Sequence, residues 1–263
     1  MNTILDNIIQ NKRLEIASAK AVKPFAALLE EARQAVRPVY SFRQALEHSA
    51  TGIIAEFKRR SPSKGFIHEG ADPEKVVPGY AAAGAAACSV LTDTAYFGGS
   101  ADDLEKARKR VGLPLLRKDF TIDEYQIAQA RIWGADAILL IAAVLTPAET
   151  EKLSLFAHSL GLEVLLEIHD ACELNRLCPA VDVVGVNNRN LATFATDVST
   201  SFELAGRIPA EYLRISESGI GSPDTVLRLR EAGFRGFLMG ENFMKEPDPA
   251  AALRNFIQAL NRP

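Results

Sequence analysis

GIIAEFKRRSPSKG, residues 52–65, decides how the rest of the chain is read. Ile53, Ile54, Ala55 and Phe57 make an apolar run long enough for a buried strand and too short for a helix. Side chains on a strand alternate faces, so Ile54, Glu56 and Lys58 point the same way. Two opposite charges then share one face of a strand that is otherwise apolar. Desolvating both is costly unless they pair or serve a ligand. The loop that follows, residues 59–65, carries three cations, two hydroxyls and a terminal glycine. Taken alone, this stretch reads equally well as a strand-end ion pair followed by a solvated basic turn. Its surroundings decide between the two.

Upstream, residues 1–50 read as helical. Ile4, Leu5, Ile8, Ile9 and Ile16 recur at helical spacing, with polar residues between them. A second helical pattern covers about residues 24–36 and a third about 41–48, with Ser41 as N-cap. The first strand follows only after these. Residues 1–50 are therefore an N-terminal helical extension, packed on a larger body over one of its openings.

Downstream, strand and helix alternate. Strand-like runs stand at 87–91, 114–117, 137–141, 163–168, 181–186, 212–216 and 236–239. Helical patterns fill the gaps at about 73–83, 101–110, 123–133, 147–160, 171–177, 198–205, 223–232 and 249–260. Eight strands and eight helices in strict alternation imply parallel pairing with the helices outside. The expected fold is α/β: a closed (β/α)8 TIM barrel, one domain over residues 1–263 that includes the extension. An open, doubly wound sheet is the other arrangement of the same pattern.

A chain of 263 residues suits a single barrel of this kind. With 48% hydrophobic and 24% charged residues and a formal net charge of −3, the composition argues against nucleic-acid and membrane-surface partners. No apolar run is long enough to cross a bilayer, and the N-terminus lacks the apolar core of a signal peptide. The expected location is the cytoplasm. Cys88, Cys172 and Cys178 form no CxxC, and His48, His68, His158 and His169 show no metal-ligand spacing. Neither a disulfide framework nor a metal site is expected, and the histidines read as surface or packing residues.

In a barrel, functional side chains gather at the C-terminal ends of the strands and in the loops after them. The first such place holds Glu56 and Lys58, and the second a loop, residues 92–100, with Tyr96 and Phe97. The third holds Lys118, Asp119 and Phe120; the fourth is apolar, with Leu139 and Leu140; the fifth ends in Glu167. Asn187, Asn188 and Arg189 end the sixth, Glu217, Ser218, Gly219 and Gly221 the seventh, and Gly240, Glu241 and Asn242 the eighth. Singly, each has a plain structural use: a strand-end lysine reaches for solvent, a glutamate finds an ion pair, and Asn-Asn makes a turn. Together, two lysines, three glutamates, an asparagine and an arginine on one mouth make a site.

The chemistry sorts by residue type. Gly219 and Gly221 expose backbone N–H groups, and residues 240–242 can open a short helix. In barrels these two loops often form a phosphate site, so the substrate is expected to carry a phosphate. Lysines beside glutamates suit proton transfer, because desolvation and mutual charge set the working pKa. Phe97, Phe120 and Leu139 suit a flat hydrophobic group. The sequence contains no dinucleotide fingerprint or nucleophile elbow. The residues alone carry the reading to cofactor-free acid–base chemistry on an aromatic phosphate ester.

The motifs then match a known set. They are IAEFKRRSPSKG (54–65), VLTD (90–93) with YFGGS (96–100), LRKDF (116–120) with YQI (125–127), LLI (139–141), LEI (166–168), GVNNRNL (185–191) and SESGI (216–220). In order and spacing, over about residues 4–244, they resemble the indole-3-glycerol-phosphate synthase family of tryptophan biosynthesis in its monofunctional form. The resemblance implies closure of an indole ring on 1-(2-carboxyphenylamino)-1-deoxyribulose 5-phosphate, with loss of carbon dioxide and water and with no cofactor. It implies Lys118 as the general acid at the ketone oxygen and Glu167 as stabiliser of the developing cation. On the same resemblance Glu56 and Lys58 would serve the later deprotonation and dehydration, with Lys58 also near the phosphate. Asn187 and Glu217 would hold substrate hydroxyls or orient the lysines. Ser61, Arg189, Ser218, Gly219 and Gly240 would bind the carboxylate and phosphate ends, and Phe120 and Leu139 would form the aromatic pocket. The implied partners are a phosphorylated small molecule and, transiently, other enzymes of the tryptophan pathway.

The sequence departs from the family pattern in places. Glu241 stands where some relatives have Ser or Thr, so its carboxylate is expected to point away from the phosphate and leave only its N–H. Asn190 replaces a common aspartate, with an effect on local turn geometry, and residues 141–144 lack a lysine that some relatives carry. Two other readings stay open: an aldolase-like barrel with Lys118 as a Schiff-base nucleophile, and a non-catalytic barrel that binds a phosphorylated ligand.

Overall fold

The computed structural model describes residues 3–190 and 193–262. Leu191, the last residue of the GVNNRNL motif, lies outside the described residues. Three helices come first: α1 (Ile4–Val22), α2 (Phe25–Gln34) and α3 (Phe42–His48). Thr3 and Asp6 close a capping box at the start of α1, and Ser41 caps α3 by accepting from the Gln44 N–H at 3.0 Å.

Eight parallel strands then close on themselves. They are β1 (Ile53–Phe57), β2 (Ala87–Leu91), β3 (Leu115–Lys118), β4 (Ala137–Ile141), β5 (Glu163–Ile168), β6 (Val183–Asn187), β7 (Leu213–Glu217) and β8 (Gly236–Met239). β1 pairs with β2 on one side (Ile54 with Ala87) and with β8 on the other (Ile53 with Phe237). No edge is left, which rules out the open sheet. The helices α4 (Pro73–Ala83), α5 (Ala101–Arg110), α6 (Glu124–Trp133), α7 (Pro147–Ser159), α8 (Ser199–Ala205), α9 (Pro223–Glu231), α10 (Glu241–Met244) and α11 (Pro249–Leu260) surround it. Residues Ala171–Arg176 form a 3-10 helix where an α-helix was expected, led by Asp170, which accepts from the Cys172 N–H.

The two-residue alternation of the strands produces two cores. Inward-facing Ile54, Leu116, Leu139, Leu165, Val183 and Ile215 pack with one another inside the barrel. Outward-facing Ile53, Val90, Ile138, Leu140, Val164 and Leu166 pack under the helices. On four of the strands the inward position two residues further along turns polar: Glu56 above Ile54, Lys118 above Leu116, Glu167 above Leu165, Glu217 above Ile215. The barrel is thus an oily plug with a charged upper layer.

The extension covers both openings, where only one was expected. On α3, Phe42 and Leu46 are fully buried in the interior cluster and stopper the bottom. Beside them the Ser41 hydroxyl and the Arg43 N–H donate to the Glu163 carboxylate at the start of β5, at 2.5 and 2.7 Å. On α1, Ile4, Leu5 and Ile8 line a cavity at the opposite end. Lys12, also on α1 and buried, pairs with Asp93 and Asp119 at 3.0 Å each.

Three strands run one residue beyond the apolar patterns that announce them. Lys118, Asn187 and Glu217 belong to β3, β6 and β7 because the parallel ladder continues through them, pairing Leu91 with Lys118 and Asn187 with Glu217. The basic loop after β1 is a tight hairpin, its two-residue arms Arg60–Ser61 and Gly65–Phe66 paired antiparallel.

Candidate active site

A cavity of about 460 Å³ opens at the C-terminal ends of the strands. Every candidate residue lines it: Glu56, Lys58 and Ser61 from β1 and its loop, Phe97 after β2, Lys118 and Phe120 at β3, and Leu139 on β4. Glu167 comes from β5, Asn187 and Arg189 from β6, Glu217, Ser218 and Gly219 from β7, and Gly240 and Glu241 after β8. The Phe97 and Phe120 rings stand 6.0 Å apart, tilted by 39°, as one wall. With Leu139, Ile4, Leu5 and Ile8 they make an apolar slot above a charged floor.

The floor is a cluster of three carboxylates and two ammonium groups. The Lys118 ammonium lies 3.3 Å from Glu167 and 3.5 Å from Glu217. Lys58 pairs with Glu56 at 2.6 Å. All three glutamates are at most 4% exposed. Burial works against the charge on Lys118, but Glu167, Glu217 and Glu56 outweigh it and hold the ammonium well above the ordinary lysine value. Burial likewise opposes ionisation of Glu167, yet Lys118 and His169 hold its carboxyl below the usual range. Glu217 goes the other way: burial raises it, and Glu167 and Glu56 add to that against the pull of Lys118. The two glutamates that flank the Lys118 ammonium are thus pushed in opposite directions, Glu167 towards the charged form and Glu217 towards the protonated one.

Missing side chains make room for this cluster. A Cβ on Gly185 would stand 2.3 Å from Glu217 Oε1, and a Cβ on Gly240 would stand 2.5 Å from Glu56 Oε2. Each glycine is the space in which a glutamate lies. After β7 the chain turns through Ser218 at φ 65° and Gly219 at φ 74°. The Asn188 amide fixes that turn by donating to the Glu217 and Ser218 carbonyls at 3.0 Å each. Asn187 faces the cavity while Asn188 braces the neighbouring loop.

The basic loop after β1 divides its cations. Arg59 is structural: its guanidinium clasps Asp103 on α5 at 2.6 and 2.8 Å and lies over the Phe57 ring. Lys64 pairs with Glu241 across the mouth. Arg189 reaches over from β6 to donate to the Ser63 hydroxyl at 3.2 Å. Glu241 lines the cavity, and its carboxylate is paired with Lys64: burial opposes its charge, but Lys64 and then Lys58 hold it below the usual range. Asn190 is a turn residue, its side-chain oxygen accepting from the Thr193 N–H at 3.0 Å.

Some contributors carry no mark of a site residue in the sequence. The extension supplies Ile4, Leu5 and Ile8, and the loop after β6 supplies Phe194 at φ 59°. His169, read as a surface or packing residue, lies between Glu167 and Glu173, 3.4 Å from each. Among the described residues no cluster of His, Cys, Asp and Glu is placed to hold a metal ion.

A family model described as indole-3-glycerol phosphate synthase matches residues 5–256. The indole-3-glycerol phosphate synthase of Bacteroides thetaiotaomicron is 53% identical over 263 residues, covering 99% of this chain and all of that one. Those of Laribacter hongkongensis and Bordetella pertussis are 47% and 45% identical, covering 96% and 98% of this chain and 98% and 100% of theirs. Among solved structures, 3-hexulose-6-phosphate synthase from Salmonella typhimurium superposes with a TM-score of 0.61 at 14% identity, covering 80% of this chain and 98% of that one. That likeness speaks for the barrel fold alone.

Proposed function

The chain belongs to the indole-3-glycerol phosphate synthase family, and from that membership we propose how the residues at its mouth carry the reaction. The activity is that of a decarboxylating lyase of tryptophan biosynthesis: 1-(2-carboxyphenylamino)-1-deoxyribulose 5-phosphate closes to indole-3-glycerol phosphate, losing carbon dioxide and water. The observation that carries the residue assignment is the Lys118 ammonium, seated between Glu167 and Glu217 beneath an apolar slot.

The anthranilate ring lies in the slot formed by Phe97, Phe120 and Leu139. Its carboxylate-bearing carbon attacks the ketone carbon, and Lys118 gives its proton to the ketone oxygen. In the resting site the surrounding carboxylates make Lys118 a weak acid. As the new bond forms, a cation spreads over the ring and its nitrogen. That cation draws on the field of Glu167 and repels the ammonium, so Lys118 becomes acidic when the proton is needed. Loss of carbon dioxide returns the bonding pair to the ring. Glu56 and Lys58, already paired at 2.6 Å, serve the remaining deprotonation and dehydration. Asn187 and Glu217 hold substrate hydroxyls. Ser61, Arg189, Ser218 and the N–H groups of Gly219 and Gly240 take the carboxylate and phosphate ends. Glu241, neutralised by Lys64, contributes its N–H.

An ammonium held charged by the acidic groups around it is a poor amine nucleophile, which weighs against the Schiff-base reading. The same proposal treats residues 1–263 as one domain with residues 1–50 as an extension, working in the cytoplasm with transient contacts to other pathway enzymes. No helix among the described residues is long and apolar enough to cross a membrane.

The test is indole fluorescence on mixing protein and substrate. Wild type gives a rise, and Lys118→Met gives none while still binding substrate. Near-normal turnover in Lys118→Met would remove the lysine from the acid role. Borohydride trapping of substrate on Lys118 would return the Schiff-base reading.

A further inference from the structure

One titratable group beside the floor takes no part in the steps of the reaction. On β5 the inward positions are Leu165 and Glu167, and His169 comes two residues later, just past the strand end. His169 does not line the cavity; it stands behind Glu167. Its Nε2 is 3.4 Å from Glu167 Oε1, and its Nδ1 is 3.4 Å from Glu173 Oε2. Glu173 is buried in the 3-10 helix and is anchored there by accepting from the His169 N–H at 2.6 Å. The two buried ring nitrogens have no other hydrogen-bond partner among the described residues. An imidazole set between two carboxylates satisfies both only when it carries both protons.

The consequence falls on Glu167 and Glu217. Both lie at nearly the same distance from Lys118, 3.3 and 3.5 Å, so that lysine alone does not decide which one ionises. Glu167 has the His169 ring beside its other oxygen, whereas Glu217 Oε1 has no hydrogen-bond partner among the described residues. We propose that His169, clamped as an imidazolium between Glu167 and Glu173, is a positioning residue that assigns the negative charge to Glu167 and leaves the proton on Glu217. The charges around it agree. Burial opposes the imidazolium, but Glu167 and Glu173 outweigh it and raise His169 to about 10. The groups that face it are Glu167 from its own strand, Glu173 from the 3-10 helix and Asp170 at that helix's cap. Beyond Glu167 stand Lys118 on β3, Glu217 on β7 and Glu56 on β1. Without His169 the charge is shared by two glutamates. Glu167 then faces the developing cation only part of the time, and Glu217 loses the proton it would donate to a substrate hydroxyl.

The inference rests on Glu167 being the carboxylate that faces the cation, and the experiment separates the two. In His169→Gln, which keeps a donor but no charge, kcat falls about 10- to 100-fold with KM within about threefold. The acid limb of its kcat profile moves up by about one pH unit, because Glu167 has lost a cation. In Glu173→Gln the imidazole deprotonates nearer neutrality, so kcat acquires a new alkaline fall between about pH 7 and 9. NMR of the wild-type imidazole shows a doubly protonated ring throughout that range. A His169→Gln profile that superimposes on wild type, or a neutral His169 at pH 7, overturns the proposal. If His169→Gln does not fold, the Glu173→Gln profile and the wild-type NMR titration decide. Glu167→Gln is the control: retained turnover there overturns the reading of Glu167 itself. An inactive Glu167→Gln beside a wild-type-like His169→Gln overturns only the role of His169.

Discussion

A methyl group added at Gly185 would press 2.3 Å from Glu217 Oε1 and 3.1 Å from Leu165 Cδ1, so something must move. Leu165 is fixed in the interior core, whereas the Glu217 carboxylate borders the cavity, so the carboxylate moves. Gly185→Ala is expected to lower kcat about 10- to 100-fold and to lose about 1–3 kcal/mol of stability to overpacking. Steady-state kinetics beside urea titration checks both, and an unchanged kcat would mean that the position of Glu217 is not needed. At this scale the sequence is informative where chemistry is written in side chains. Glu56 and Lys58 stand out because two charges on a buried strand face demand a reason. Gly185 does not, since a vacancy leaves no pattern of polarity or spacing. His169 does not either, because its second carboxylate, Glu173, reaches it only through the 3-10 helix that follows β5.

Among the elements, α1 and α3 serve opposite ends of the barrel and should fail differently. Lys12 ties α1 to Asp93 and Asp119, and Asp93 Oδ1 in turn accepts from the Tyr96 N–H at 2.8 Å in the loop that carries Phe97. Lys12→Met leaves two buried carboxylates without that cation and is expected to cost about 3–5 kcal/mol. It should also raise KM, because the Phe97 wall loosens. Phe42→Ala empties the bottom stopper at a similar cost of about 3–5 kcal/mol, but with KM and kcat unchanged. Denaturant titration and kinetics on the two variants test this; a KM change in Phe42→Ala would break the division of labour. The strands were legible because buried parallel strands are continuous apolar runs. Their ends were less so: an apolar run stops at the first charge, while the hydrogen-bond ladder carries Lys118, Asn187 and Glu217. Only the tertiary structure places α1 over the mouth and α3 under the floor, since amphipathic spacing tells which face is buried and not against what.

For the whole molecule, the buried charges predict where stability peaks with pH. Burial opposes ionisation of Asp119, but Arg117 and Lys12 outweigh it and hold the carboxyl at about 2, against 3.8 for the unperturbed group. Its contribution is present above 3.8 and is lost as pH falls towards 2. Glu167, also depressed, adds to the same acid-side loss. Glu217 and His169 act on the other side. Both hold a proton in the folded state that the unfolded chain has released, Glu217 above 4.5 and His169 from 6.5 to about 10. Wherever the fold binds one extra proton, each rising pH unit removes about 1.4 kcal/mol. Stability should therefore be greatest near pH 5 and decline through neutrality towards pH 10, with the steepest slope where both groups act together. Urea midpoints measured from pH 3 to 10 would show this. Glu217→Gln, which is neutral at every pH, should flatten the part of the slope that begins below pH 6.5, and His169→Gln the part above it. A wild-type midpoint that rises from pH 5 to 9 would mean that the fold does not hold these protons, and that Glu217 and His169 are not the proton-bearing groups beneath the substrate.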